Sequence, residues 1–301
     1  MPKILYEDKQ FRPSTLTIIK QAENIINVYQ SQGFKLTLRQ LYYQFVARGL
    51  ISNTEQSYNK MGNIISDARR AGLIDWNAIE DRTRYLRKLS NWKTPQAILA
   101  SARDSYHKDL WANQDKRIEV WIEKDALVGV IEDVCQRNDV PFFSCRGYVS
   151  DSEMWSGGIR ILNHTKKKDQ EVLILHLGDH DPSGIDMTRD IEERLSLFSD
   201  NATFEMRRIA LTMEQIEELS PPPNPAKITD SRYGGYVTRY GEESWELDAL
   251  EPQYIANLIR DNIEQERDED KWNEAIDKQE RERGQIDTII KRWDIIVNTN
   301  D

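Results

Sequence analysis

Cysteine is nearly absent, with only Cys135 and Cys145 in 301 residues. Two thiols make neither a disulfide framework nor a four-thiolate zinc site, so a reducing cytoplasm is the expected location. No apolar run approaches the roughly 20 residues that a membrane span requires. The segment from Met1 to Gln10 also has no apolar core behind its charges. The chain is therefore expected neither to span a membrane nor to be conventionally secreted. No internal repeat is visible, which excludes a solenoid or propeller. What is present is an ordinary folding composition, 39% hydrophobic and 31% charged, on the polar side of globular.

The net charge of −10 argues against a partner as negative as DNA. The average conceals a split. Residues 1–117 carry 19 Lys and Arg against 11 Asp and Glu, a net of +8, whereas residues 118–301 carry 22 against 40, a net of −18. One half could grip phosphate while the other is acidic, although surface charge also clusters with no partner in view. Length points the same way, since 301 residues exceed the ~100–200 of one domain.

Periodicity divides the chain into residues 1–117, mainly helical; 118–260, alternating strands and helices; and 261–301, a charged helical extension with 13 acidic and 7 basic residues. In the first part a helix starts near Ser14 with Leu16, Ile19, Ala22, Ile26 and Tyr29 on one stripe and ends at Gly33. Thr37 caps a second helix to Arg48, and Thr54 a third toward Arg70. Three short helices in a basic region suit a helix-turn-helix module or an ordinary helical subdomain. A basic stretch, Arg82, Arg84, Arg87 and Lys88, and a helix over Ala97 to Trp111 follow.

From Arg117, Ile118, Val120 and Ile122 alternate with Glu119, Trp121 and Glu123, the pattern of a two-faced strand. A helix from Ala126 to Cys135, a strand from Pro141 to Cys145 and a helix from Ser152 to Asn163 come next. Val172 to Leu177 reads as a strand buried on both faces. Ser183 is positioned to cap a helix through Phe198, Phe204 to Leu211 returns as a strand, and Thr212 caps another helix. This alternation predicts an α/β fold with a mostly parallel sheet and helices on both faces. Pro221 to Pro225 and Ser231 to Glu243 read as loops, and Pro252 introduces a helix of about ten residues.

Ligands of an open parallel sheet gather beyond the carboxyl ends of its strands. Two polar segments fall there, Glu123-Lys124-Asp125 and Asp179-His180-Asp181-Pro182-Ser183-Gly184. Asp179 and Asp181, two apart, point to one side of an extended backbone, and like charges held together call for a cation. An all-oxygen cluster suits magnesium, while His180, like His107, His164 and His176, reads as a surface or supporting residue. The same segment also reads as a polar turn with Asp and Ser as helix caps. On the second helix Leu38, Leu41, Tyr42, Phe45 and Val46 form the apolar stripe, leaving Tyr43 on a more exposed face four residues from Arg39. A tyrosine can attack a phosphodiester once its proton is withdrawn, and Arg39 could favour the phenolate and hold phosphate. Packing or backbone contact with nucleic acid would use the same pair.

These pieces, in this order, resemble the DNA-cleaving A subunit of topoisomerase VI and its relative, the meiotic double-strand-break transesterase. Arg39-Gln40-Leu41-Tyr42-Tyr43 is similar to the family's Arg-Asp-Ile-Phe/Tyr-Tyr motif in a winged-helix domain, whose last tyrosine, here Tyr43, is the nucleophile. Ile122-Glu123-Lys124-Asp125-Ala126 resembles the glutamate motif of a TOPRIM domain, and Asp179-His180-Asp181-Pro182-Ser183-Gly184 its Asp-Ala-Asp-Pro-Tyr-Gly metal motif, with serine in place of tyrosine at Ser183. Arg146-Gly147-Tyr148 is similar to part of the family's glycine-rich loop, with Val149 and Ser150 departing from it. The likeness spans roughly residues 35–260 in islands and looks closest to the small phage, plasmid and bacterial relatives.

The resemblance implies a winged-helix DNA-binding domain with the tyrosine motif (1–117), a TOPRIM metal-binding domain (118–260) and the charged helical extension. It implies a transesterase in which Tyr43 forms a 5′-phosphotyrosyl link to double-stranded DNA, assisted by Arg39 and by Mg²⁺ on Glu123, Asp179 and Asp181. Glu123 would then be both catalytic and a ligand. In the family the tyrosine of one subunit works with the metal site of another, so a homodimer is implied. ATP-driven strand passage would need a separate ATPase subunit, and a nucleoid-associated or mobile-element-encoded protein is expected. Two other readings stand beside it: a TOPRIM nuclease using water, and a non-catalytic DNA-binding or assembly protein.

Overall fold

Threonine caps open three of the four N-terminal helices in the computed structural model of the chain, which describes residues 3–79 and 89–293. The basic stretch Arg82, Arg84, Arg87 and Lys88 lies outside the described residues. Helix α1 (Pro13–Ser31) instead begins on a proline, whose fixed φ suits the first helical position. Thr37 accepts the Gln40 amide to start α2 (Leu38–Ala47), and the Gln40 side chain returns a bond to the Thr37 amide. Thr54 and Thr94 start α3 (Glu55–Arg70) and α4 (Pro95–Ser105). Helices α1 to α3 share a core that includes Ile19, Ala22, Ile26, Tyr29, Leu41, Phe45 and Ile65. Leu16, expected on the buried stripe of α1, is 46% exposed, and Ile25 is buried on that helix. Among the described residues this module has only isolated β bridges, Leu5 with Ala71 and Leu36 with Ile79.

Beyond α4 the helix expected to reach Trp111 has already ended. Trp111 is instead buried in the next core, donating its indole N–H to the Asn138 carbonyl at 2.7 Å. The elements then alternate: β1 (Lys116–Ile122), a 3₁₀ turn, α5 (Val128–Arg137), β2 (Phe142–Ser144), α6 (Asp151–Lys168), β3 (Glu171–Leu177), α7 (Pro182–Phe198), β4 (Phe204–Ala210) and α8 (Met213–Leu219). A second, two-stranded sheet pairs β5 (Asn224–Pro225) with β6 (Glu243–Ser244), and α9 (Tyr233–Tyr240) lies between them. The Ser231–Glu243 segment expected as a loop is therefore largely helical, Gly234 and Gly235 included. A 3₁₀ turn (Leu247–Ala249), α10 (Pro252–Glu266) and α11 (Glu269–Lys291) complete the described residues, α10 being longer than expected. Residues 117 and 260 lie inside β1 and α10.

The main sheet runs β2-β1-β3-β4 with every neighbouring pair parallel. Its two central strands, β1 and β3, are buried on both faces, as the middle of a parallel sheet requires, while β2 and β4 at the edges are only half-buried. Leu173, Leu175 and Leu177 pack with Val130, Ile131, Ile255 and Ile259 of α5 and α10. Val172 and Ile174 pack with Met154 and Ile161 of α6 and Ile191 and Leu195 of α7. The two-faced pattern of β1 thus does not mark an exposed face. Glu119 is buried because α6 covers it, and its carboxylate takes Arg160 at 2.8 and 2.9 Å and the Trp121 indole at 2.9 Å. No helix among the described residues is long and apolar enough to cross a membrane.

Candidate functional site

Parallel strands all end at one edge, so the residues that follow them are brought together. Glu123 follows β1, and its amide donates to the Leu177 carbonyl at 2.8 Å. Its Oε2 accepts the Asp179 amide at 2.9 Å, joining the two sequence motifs through one bond. Asp179 Oδ1 accepts the Leu247 amide at 2.8 Å, and Oδ2 faces Lys124 Nζ at 2.6 Å. Asp181 turns to another partner, its Oδ1 accepting the Gly184 amide at 2.6 Å. Asp181, not Ser183, is therefore the cap of α7, and the polar-turn reading accounts for one of its oxygens.

The turn between the strand and α7 is drawn tight. A Cβ on Gly184 would stand 2.3 Å from the Asp179 carbonyl oxygen, so no side chain fits there, and one on Gly178 would be 3.0 Å from Glu123 Oε2. Arg208, on β4, ties the turn down. It donates to the carbonyls of Gly178 at 2.9 Å, Asp179 at 2.6 Å and Gly184 at 3.1 Å, and to Thr188 Oγ1 at 2.7 Å. Burial raises the pKa of both Glu123 and Asp179. For Glu123 the Asp179 amide and Lys124 oppose the shift and Asp181 adds to it, whereas for Asp179 Lys124 opposes it and Glu123, Glu246 and Asp248 add to it. Burial also works against the Lys124 ammonium, but Asp179, Asp248 and Glu246 together outweigh it and hold the group charged.

Tyr43 is not on an exposed face. The 3₁₀ turn Leu247–Ala249 packs on α2 and leaves Tyr43 6% accessible. That turn brings two acids to Arg39: its Nε donates to Asp248 Oδ2 at 2.8 Å and its Nη2 to Glu246 Oε2 at 3.1 Å. The same Nη2 lies 3.4 Å from the Tyr43 hydroxyl. Asp248 is fully buried and its Oδ1 has no hydrogen-bond partner among the described residues. Burial raises the Tyr43 pKa, Asp248 and Glu246 add to this, and Arg39 and Lys124 only partly offset it. The net direction favours the neutral phenol, opposite to the phenolate that Arg39 alone would favour. Beside Tyr43 a cleft of about 240 Å³ is lined by Arg39, Tyr42, Asn53, Thr54 and Tyr58.

The segment carrying these acids is pinned across the sheet edge. His180 and Trp245 exchange both backbone bonds, at 2.8 and 2.9 Å, and His180 Nδ1 meets the Tyr236 hydroxyl at 2.8 Å. His180 and His176 are both buried rather than at the surface, 2% and 1% exposed. Glu246 also bonds Lys124, so contacts run unbroken from Tyr43 through Arg39, Glu246 and Lys124 to Asp179 and Glu123. Arg146 and Tyr148 border the same edge, paired with Asp125 at 2.8 Å and Asp186 at 2.6 Å.

Sequence reasoning missed Glu246, Asp248 and Arg208, and assigned no role to Lys124. A signal was present in Trp245-Glu246-Leu247-Asp248-Ala249-Leu250, where acids alternate with apolar residues, and in Arg208 within a strand otherwise destined for burial. For a metal ion the donors Glu123, Asp179 and Asp181 fit in kind, being oxygen only. In arrangement, no three acids or other ligating side chains among the described residues already converge as a metal cluster. No protein-family model matches the sequence, and no curated protein matches it either.

Proposed function

We propose that the protein is a DNA-cleaving transesterase of the kind its motifs resemble, in which a winged-helix-type module carries Tyr43 and a TOPRIM-type sheet carries Glu123, Asp179 and Asp181. The observation that supports this reading is the unbroken set of contacts from Tyr43 to Asp179 and Glu123, which joins residues from three distant parts of the chain. Tyr43 Oη bonds to phosphorus, the bond from phosphorus to the 3′-oxygen breaks, the phenol proton passes to water, and the 3′-oxygen gains one from water. Arg39 holds the phosphate. Glu123, Asp179 and Asp181 would hold a magnesium ion, which supplies Lewis-acid stabilisation of charge on the phosphoryl oxygens. Arg208 keeps the Asp179 turn in shape. Double-stranded DNA is the substrate, two copies of the chain would make cuts on both strands, and any ATP-driven strand passage belongs to another polypeptide.

A nuclease using water in place of Tyr43 is the second reading, favoured by the burial and neutrality of that phenol. One experiment separates the two. End-labelled duplex is incubated with protein and Mg²⁺ and run on a denaturing gel beside Tyr43→Phe. A protein-linked band that disappears in the variant is the expected outcome; free cut ends from Tyr43→Phe would instead establish the nuclease.

A further inference from the structure

Glu246 presents one oxygen, Oε2, to two cations at once: Arg39 Nη2 at 3.1 Å and the Lys124 ammonium. Arg39 Nη2 also lies 3.4 Å from the Tyr43 hydroxyl. An anionic oxygen held between a guanidinium and an ammonium, next to a hydroxyl, has the surroundings that a non-bridging phosphate oxygen takes. Three carboxylates hold these two cations, and they are not equivalent. Side-chain exposure is 26% for Glu246, against 7% for Asp179 and 0% for Asp248. Asp179 is anchored further by the Leu247 amide. The hydrogen bonds of the Glu246 side chain go to the two cations alone among the described residues.

We propose that Arg39 and Lys124 form a clamp for one phosphodiester of duplex DNA, and that Glu246 occupies it as an internal stand-in which the phosphate displaces. Glu246 can swing toward solvent while Asp248 keeps Arg39 aimed through Nε and Asp179 keeps Lys124 in place, so the clamp survives the exchange. The departing carboxylate and the arriving phosphate carry the same sign, so neither cation is ever left buried and unpaired. This inference rests on the reading above for the identity of the nucleic acid, but not on any bond being cut.

The test uses the full chain in EDTA, where binding is read without cleavage. Inorganic phosphate is titrated by calorimetry and a short duplex by fluorescence anisotropy. Wild type is compared with Glu246→Gln, with Glu242→Gln as an exposed control of equal charge change on the same segment, and with Glu246→Gln/Lys124→Met. Glu246→Gln is expected to bind both ligands about tenfold more tightly, since a competing like charge has been removed from the clamp. Glu242→Gln should change affinity less than about twofold, and Lys124→Met should abolish the gain. Thermal midpoints report folding, and Glu246→Gln/Lys124→Gln replaces the double variant if that one does not fold. The proposal is overturned if Glu246→Gln gains nothing for duplex, whatever inorganic phosphate does. It is equally overturned if Glu242→Gln gains as much, or if the gain survives loss of the clamp cation. Failure of the transesterase reading would show separately, as a missing protein-linked band.

Discussion

Arg39 donates its Nε to the buried Asp248 at 2.8 Å, so the helix bearing Tyr43 is fastened to a turn more than 200 positions later in the chain. Replacing Arg39 removes the partner of a carboxylate that cannot reach water. Arg39→Ala is therefore expected to lower unfolding free energy by about 2 kcal/mol, and adding Asp248→Asn should restore part of it. Urea unfolding of the two single variants and the double variant measures the coupling; an unchanged midpoint for Arg39→Ala would remove the pair from the account.

Magnesium should stabilise the fold if its proposed ligands are right. At a concentration about 100 times the dissociation constant, a bound ion adds ~2.7 kcal/mol. The melting midpoint of wild type should rise with Mg²⁺, and that of Glu123→Gln/Asp181→Asn should not. Equal rises in both proteins would place the ion elsewhere.

Acid should weaken the protein through His176. Burial, reinforced by the nearby Arg208, pushes its pKa down to about 3 from the ordinary 6.5, and its Nε2 is buried with no partner among the described residues. The unfolded chain takes up the proton first as pH falls below 6.5, so the stability from neutral burial is intact above that pH and is lost progressively toward 3. Between pH 7 and pH 5 the loss is about 2 kcal/mol. Denaturant titrations at both pH values should show a smaller loss in His176→Gln; equal losses would assign the acid sensitivity to other groups.

Two glycines separate fold from site. A Cβ at Gly158 would meet Phe198 Cβ and carbonyl carbon at 2.6 Å, forcing α6 off α7, whereas Gly184 abuts the Asp179 carbonyl. Gly158→Ala should cost roughly 1–3 kcal/mol of stability through overpacking while retaining Mg²⁺ binding. Gly184→Ala should lose Mg²⁺ binding as well, because the turn carrying Asp179 must move. Titration calorimetry with Mg²⁺ on both variants decides the matter, and tight binding by Gly184→Ala would contradict it.

Much of the fold was legible. Thr37, Thr54 and Thr212 are caps as their sequence context predicts, and Val172 to Leu177 is a strand covered on both faces. Local pattern failed where tertiary cover decides. Tyr43 lies off the apolar stripe of its own helix yet is buried within the N-terminal core, on which the turn of residues 247–249 packs from far along the chain. Glu119 looks like the polar face of a strand until Arg160 arrives from α6. Gly234 and Gly235 argued for a loop, yet Tyr236 on the same helix is held against His180, a contact that outweighs glycine's poor helix propensity. Of the site, the motif residues at the strand ends were readable one by one. Their pairing with Glu246 and Asp248 was not, because no local rule links positions so distant.

The double backbone bond between His180 and Trp245 gives the segment that follows a fixed root at the sheet edge. Were that root to let go, Tyr43 would lose its cover, Arg39 its two acids and Asp179 the Leu247 amide, all in a single displacement. The surroundings of all three residues are thus tied to one pair of backbone bonds, and no one of them can be uncovered from that side without the others.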